Sequence, residues 1–238
     1  FSDLGNFWRV ALRLSRFPIV FLLIIGFHYR FDFEKLKNLF YLKPRAKRLR
    51  VSMYSVLFFF VLVIAIPALL FFLWFVINNK PIEVSFYEYP LSFFLSTLLI
   101  APIFEELVFR RVIAHGLFKK YGFKKAVVWS SFLFLLVHFP LKDNGLFFLF
   151  MGGVLLAYVY LKTRNIYLVM VLHFLTNLNS IINSYRPHFF ALEVNSIYRT
   201  NIPYFWIYYT FCFFGLIFLA RVSYRYINNY YKLYVSEE

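Results

Sequence analysis

Val51-Ser-Met-Tyr-Ser-Val-Leu-Phe-Phe-Phe-Val-Leu-Val-Ile-Ala-Ile-Pro-Ala-Leu-Leu-Phe-Phe-Leu-Trp-Phe-Val-Ile77 runs for 27 residues without a charge. A helix of about 20 apolar residues crosses a hydrocarbon layer of about 30 Å, so this stretch is long enough to span a bilayer. Further apolar segments follow at Leu91–Phe109, Ala126–Phe139, Leu146–Leu161, Ile166–Ile182 and Tyr204–Ala220, with a shorter one at Phe17–Tyr29. Those below about 18 residues fit a membrane if their flanking Lys and Tyr snorkel or if they pack deep between neighbours. Lipid leaves no solvent for an unpaired backbone, and the apolar runs lack the alternation of a barrel strand, so all of them are expected to be helices. The predicted fold is an all-α, polytopic membrane bundle of six to eight helices around an intramembrane polar cavity.

Composition agrees with this reading. The chain of 238 residues is 62% apolar, 24% aromatic and 16% charged, with a mean hydropathy of +0.67. Soluble domains hold about 45–50% apolar and about 25% charged residues. The net charge of +15 would suggest nucleic acid in a soluble protein. Here the basic residues sit in short loops between apolar segments, so no nucleic-acid partner is expected. If all seven segments span, 19 of the 26 Lys and Arg fall on one side and 7 on the other, which assigns the richer side to the cytoplasm. That orientation puts the C-terminus in the cytoplasm, and the expected setting is a bacterial inner membrane. Cys212 is the single cysteine, so neither an intrachain disulfide nor a cysteine-based metal site can form.

The organisation expected is one continuous domain in three parts. Residues 1–84 hold an interfacial amphipathic helix at Phe7–Phe17, the first membrane helices and a basic loop whose Lys43–Arg50 cluster anchors the topology. Residues 85–184 hold the chemistry, and residues 185–238 hold a loop and a C-terminal membrane helix.

Ionisable side chains are costly in hydrocarbon and mark function by default. Three places qualify: Ala101-Pro-Ile-Phe-Glu105-Glu106-Leu-Val-Phe-Arg110, Phe134-Leu-Leu-Val-His138 and His173-Phe-Leu-Thr-Asn177. Adjacent carboxylates on a helix point about 100° apart and cannot share one task. Glu106 lies four residues before Arg110, the spacing that pairs acid and base on one face. Glu105 is then left without a local partner and is available for proton transfer. Pro102 removes a backbone donor and should kink or open the helix nearby. His173 and Asn177, one turn apart, can aim donors at a single point as an oxyanion hole does. With about 1.5 Å of rise per residue, Glu105 is roughly 22 Å from Lys120, His138 roughly 20 Å from Lys125 and His173 roughly 13 Å from Arg164, so the three can meet inside the membrane.

Taken in this order, Glu-Glu-x-x-x-Arg, Phe-x-x-x-His and His-x-x-x-Asn resemble the CPBP family of CAAX prenyl endopeptidases and bacteriocin-processing enzymes, also called the Abi family. The resemblance covers about Ser85–Ser184, no motif residue is missing, and Lys162-Thr-Arg-Asn-Ile-Tyr before the last motif also looks family-like. It implies a glutamate-dependent intramembrane endopeptidase without a cofactor. Glu105 would be the general base, His138 would position the water, and His173 with Asn177 would hold the oxyanion. Glu106 and Arg110 would match the supporting pair. The implied partners are the bilayer and a membrane-associated peptide or protein substrate.

Other readings compete. Glu105, His138 and His173 could form a His₂Glu zinc site, but no His-Glu-x-x-His helix is present and the ligands would come from three helices. A non-catalytic scaffold of the same family is a second alternative. A transporter with a proton relay is a third, although the expected internal repeat is not visible. His28, His115 and His188 lie near helix ends or loops and are given no catalytic role. Trp74, Trp129 and Trp206 read as lipid-facing or belt residues, and Gly152-Gly153 as a site of close helix packing.

Overall fold

The computed structural model describes residues 48–66, 69–70, 73, 91–138, 145–185 and 202–234. The expected segments at Phe7–Phe17 and Phe17–Tyr29, most of the Lys43–Arg50 cluster, His28, Trp74 and His188 lie outside the described residues. Six helices make up nearly all the rest, with no strand among the described residues. Helix α1 is Arg48–Ala65, α2 spans residues 91–121, α3 is Phe123–Val137, α4 is Gly145–Thr163, α5 is Ile166–Tyr185 and α6 is Ile202–Tyr234. Three stretches are long and apolar enough to cross a membrane, Arg48–Ala65, Leu146–Thr163 and Trp206–Leu233, and Ile166–Ile182 is a shorter apolar helix. The protein is an all-α integral membrane protein.

The described residues fall into two compact units, one within Tyr89–Phe174 and one within Lys47–Glu88 and Leu175–Leu233. In the second, α1 meets α6 through a stacked Tyr54–Tyr226 pair with centroids 4.2 Å apart and a tilted Phe58–Tyr224 pair at 6.1 Å. Ser55 is buried there, and its hydroxyl donates to the Val51 carbonyl at 2.7 Å, so the polar group stays satisfied within its own helix. Helix α6 runs 14 residues beyond the expected end at Ala220. Apolar content decides where a helix leaves the hydrocarbon but does not decide where it stops, and no Gly or Pro follows Gly215 to break it.

The first unit holds α2, α3, α4 and the start of α5. Gly122 ends α2 in a left-handed conformation, φ 80°, with its N–H donating to the Phe118 carbonyl at 3.0 Å. Its own carbonyl accepts from the Ala126 N–H at 3.1 Å, the first backbone bond of α3. The turn from α4 to α5 contains only Arg164 and Asn165. Arg164 adopts φ 53°, unusual without glycine, and is held by a hydrogen bond to His115 Nδ1 at 2.7 Å and by the Phe118 ring 4.4 Å beneath its guanidinium. Asn165 Oδ1 then accepts the Leu168 N–H at 3.1 Å and caps α5. The Lys162-Thr-Arg-Asn-Ile-Tyr stretch is thus a helix stop and a helix start joined without slack.

Pro102 does not break α2. Helical torsions continue through Ala101, and the local departure is a π-helical stretch, Ser96–Ile100, that ends one residue before the proline. A wider turn relieves the clash of the pyrrolidine ring with the preceding carbonyls at less cost than a break.

Only one of the paired glycines packs closely. A Cβ at Gly153 would stand 3.4 Å from both the Phe134 ring and the Ser131 side chain, whereas one at Gly152 would meet nothing within 4 Å. Gly153→Leu is therefore expected to overpack α3 against α4 and cost roughly 1–3 kcal/mol, with Gly152→Leu near neutral. Thermal unfolding of the two variants in one detergent or lipid checks the contrast.

Candidate functional site

The site forms where α2, α3 and α5 present their polar residues to one another within the first unit. The second π-helical stretch of α2, Leu107–Ala114, begins immediately after the Glu105-Glu106 pair and carries Arg110 on its first turn. Arg110 and Glu106 are completely buried, and Arg110 Nε lies 2.9 Å from Glu106 Oε2. The expected pairing of these two residues is present. Arg110 also lies over the Phe134 ring, 4.9 Å from its centroid, so one hydrophobic face of the guanidinium is covered by an aromatic surface.

Glu105 is 4% exposed and stands between two imidazoles. Its Oε1 is 3.7 Å from His138 Nε2 and its Oε2 is 3.7 Å from His173 Nε2. These separations exceed direct hydrogen bonds, and Oε2 makes none. His138 ends α3 as its C-cap residue, with Nδ1 2.8 Å from the Phe134 carbonyl. A carbonyl oxygen only accepts, so Nδ1 carries the proton and Nε2 is the nitrogen turned to Glu105. His173 is 7% exposed on α5, with Nδ1 2.8 Å from Glu106 Oε1. Glu106 thus uses one oxygen for Arg110 and the other for His173.

The structure brings Glu105, Glu106, Arg110, His138 and His173 together. Asn177 is half-buried and stands one turn beyond His173 on α5. His115 is tied to Arg164 and takes no part in this cluster. Among the described residues, no group of three or more His, Cys, Asp or Glu side chains has the spacing to hold a metal ion.

In the sequence Phe134 stands out only as the first letter of the Phe-x-x-x-His motif. Its ring centroid is 4.5 Å from that of His138, 6.0 Å from that of His173 and 5.2 Å from that of Phe109, besides its contact with Arg110. Phe134 is buried and forms a core cluster with Val108 and Phe109. It is the shared wall of the site. The four-residue spacing from Phe134 to His138 was the only signal, since it puts a backbone acceptor and a ring beside the imidazole in any helix.

Residues 87–179 match the family model described as Type II CAAX prenyl endopeptidase Rce1-like. The chain is also 32% identical over 98 residues to a protein of Bacillus subtilis (strain 168) named "Putative membrane peptidase YdiL", an alignment covering 41% of this chain and 39% of that protein. The chain therefore spans about two fifths of the length of the curated relative it matches. No solved structure matches it. The stretch matched by the family model starts just before α2, ends within α5 and includes every residue of the site, and both similarities are consistent with the resemblance to the CPBP family carried by the three motifs.

Proposed function

We propose that this protein is an intramembrane endopeptidase that hydrolyses a peptide bond of a membrane-associated peptide or protein with a glutamate-activated water. The observation that carries the reading is a buried carboxylate, Glu105, facing two imidazole nitrogens across gaps of 3.7 Å. A carboxylate so placed has an oxygen free to accept a proton, and its neighbours leave space for a bridging water to be oriented. In the proposed reaction Glu105 takes a proton from that water while its oxygen attacks the scissile carbonyl. His138 positions the water. His173 and Asn177 stabilise the oxyanion, the roles that the family resemblance implies for them. Glu106 and Arg110 hold the arrangement together. The chemistry needs no cofactor, the substrate reaches the site from the membrane or its cytoplasmic face, and the setting is a bacterial inner membrane with the C-terminus in the cytoplasm.

The test is cleavage of a quenched peptide library by the purified protein in lipid, with and without a strong chelator and with Glu105→Gln as the control. Cutting by wild type that survives chelation and is absent from the control supports the reading. Loss of cutting on chelation would replace it with metal-dependent hydrolysis. Removal of an oxyanion donor costs about 10²–10³-fold in other hydrolases, so Asn177→Ala is expected to lower kcat by that order while KM changes little. An unchanged kcat would remove Asn177 from the site.

A further inference from the structure

The two imidazoles facing Glu105 are not equivalent, and the difference lies behind them. His138 Nδ1 rests on the Phe134 carbonyl, a neutral acceptor, at 2.8 Å. His173 Nδ1 rests on Glu106 Oε1, also at 2.8 Å. The other oxygen of Glu106 is paired with Arg110 at 2.9 Å, and an acid held against a guanidinium is a carboxylate that can only accept. Each imidazole therefore carries a proton on Nδ1 and turns Nε2 towards Glu105, and in the neutral form of each that nitrogen is bare. Only His173 has a negative charge behind it to balance a second proton. The groups facing it among the described residues are Glu105 and Glu106 from α2 and the ring of Phe134 from α3, with Arg110 on the far side of Glu106.

We propose that Glu106 is the positioning residue of His173 and makes it the proton carrier of the reaction. The proposal rests on the protease reading above and deepens it. Water loses a proton to Glu105 as its oxygen bonds to the carbonyl carbon, and the carbonyl π pair moves onto oxygen. The proton passes from Glu105 to His173 Nε2, giving an imidazolium whose charge Glu106 balances and whose new N–H faces the oxyanion. As the oxyanion re-forms the carbonyl, the C–N bond breaks and the leaving nitrogen takes the Nε2 proton. Glu105 and His173 end as they began. The same division, in which an acid fixes the tautomer of an imidazole that moves protons, operates in serine hydrolases.

The experiment is ¹⁵N NMR of histidine-labelled protein in lipid together with kinetics. In wild type the His173 signals are expected to report a protonated Nδ1 and a bare Nε2. In Glu106→Gln that fixed tautomer should be lost, because an amide can donate to Nδ1 as readily as accept from it. The same variant is expected to lower kcat by about 10²–10⁴-fold, with KM within a few fold of wild type, and Glu106→Asp should recover part of the loss. A bare Nδ1 in wild type, or a wild-type kcat in a folded Glu106→Gln, overturns the proposal. If Glu106→Gln does not fold, the kinetic arm is read on Glu106→Asp, whose retracted carboxylate should lower kcat and not raise KM, and an unchanged kcat there overturns it. A fixed tautomer in a protein whose Glu105→Gln variant still cuts at full rate would sink the protease mechanism while leaving the Glu106–His173 pair in place.

Discussion

Glu105→Gln is expected to remain folded and to stop cutting, whereas Glu106→Gln is expected to lose folded protein along with activity. General acid–base groups contribute about 10²–10⁴-fold to rate, and that is the fall in kcat predicted for the first variant. Its fold should be unharmed or improved. A carboxylate facing the Nε2 atoms of two neutral imidazoles sets acceptor against acceptor, and an amide replaces one acceptor oxygen with a donor at the same volume. Glu106 stands in the opposite position, with one oxygen hydrogen-bonded to His173, the other ion-paired with Arg110 and its side chain completely buried. Replacing it leaves the Arg110 guanidinium buried without its counter-charge, a change worth about 3–5 kcal/mol where buried pairs have been broken. Since total stability is only about 5–15 kcal/mol, a drop of that size should be visible as lower yield and an earlier thermal transition in detergent. Equal loss of folded protein in both variants would dissolve the distinction.

The second large effect is expected at Phe134. Truncating a buried phenylalanine to alanine costs about 3–5 kcal/mol through lost transfer energy and the cavity left behind. At this position the cavity would open beside Arg110, His138 and His173 at once, since the ring touches all three. Activity should therefore fall further than stability alone accounts for, with kcat reduced even at temperatures where the variant is fully folded. Phe134→Leu, which keeps most of the volume but not the aromatic face, should recover most of the thermal stability and less of the rate. Recovery of both to the same degree would mean that the ring serves packing alone.

How far these features could be read from the sequence depends on how local their causes are. The membrane helices were legible because a long uncharged run has few alternatives, and the Glu106–Arg110 pair was legible because it spans one helical turn. The end of α6 was not, because Arg221, Arg225 and Lys232 mark an exit from hydrocarbon without ending a helix. The bond between Glu106 and His173 joins residues 67 apart on different helices, and no spacing rule reaches that far. Choosing between Gly152 and Gly153 failed for a different reason. A helix apolar on all sides has no polar stripe to say which face meets its neighbour. The wide turns flanking Glu105 were invisible too, since π-helical stretches depend on the packing around them and not on a residue signature.

The two-residue turn between α4 and α5 also sets a leash length. Because Arg164 and Asn165 leave no slack, His173 lies a fixed nine residues from Arg164, about 13 Å of helix. An extended peptide advances about 3.3 Å per residue, so a substrate entering from the side of that turn needs about four unfolded residues between the level of the turn and its scissile bond. A helical segment of equal length would advance only about 6 Å and stop short. For such an enzyme, the readiness of a substrate's end to fray would matter as much as the residues flanking the cut.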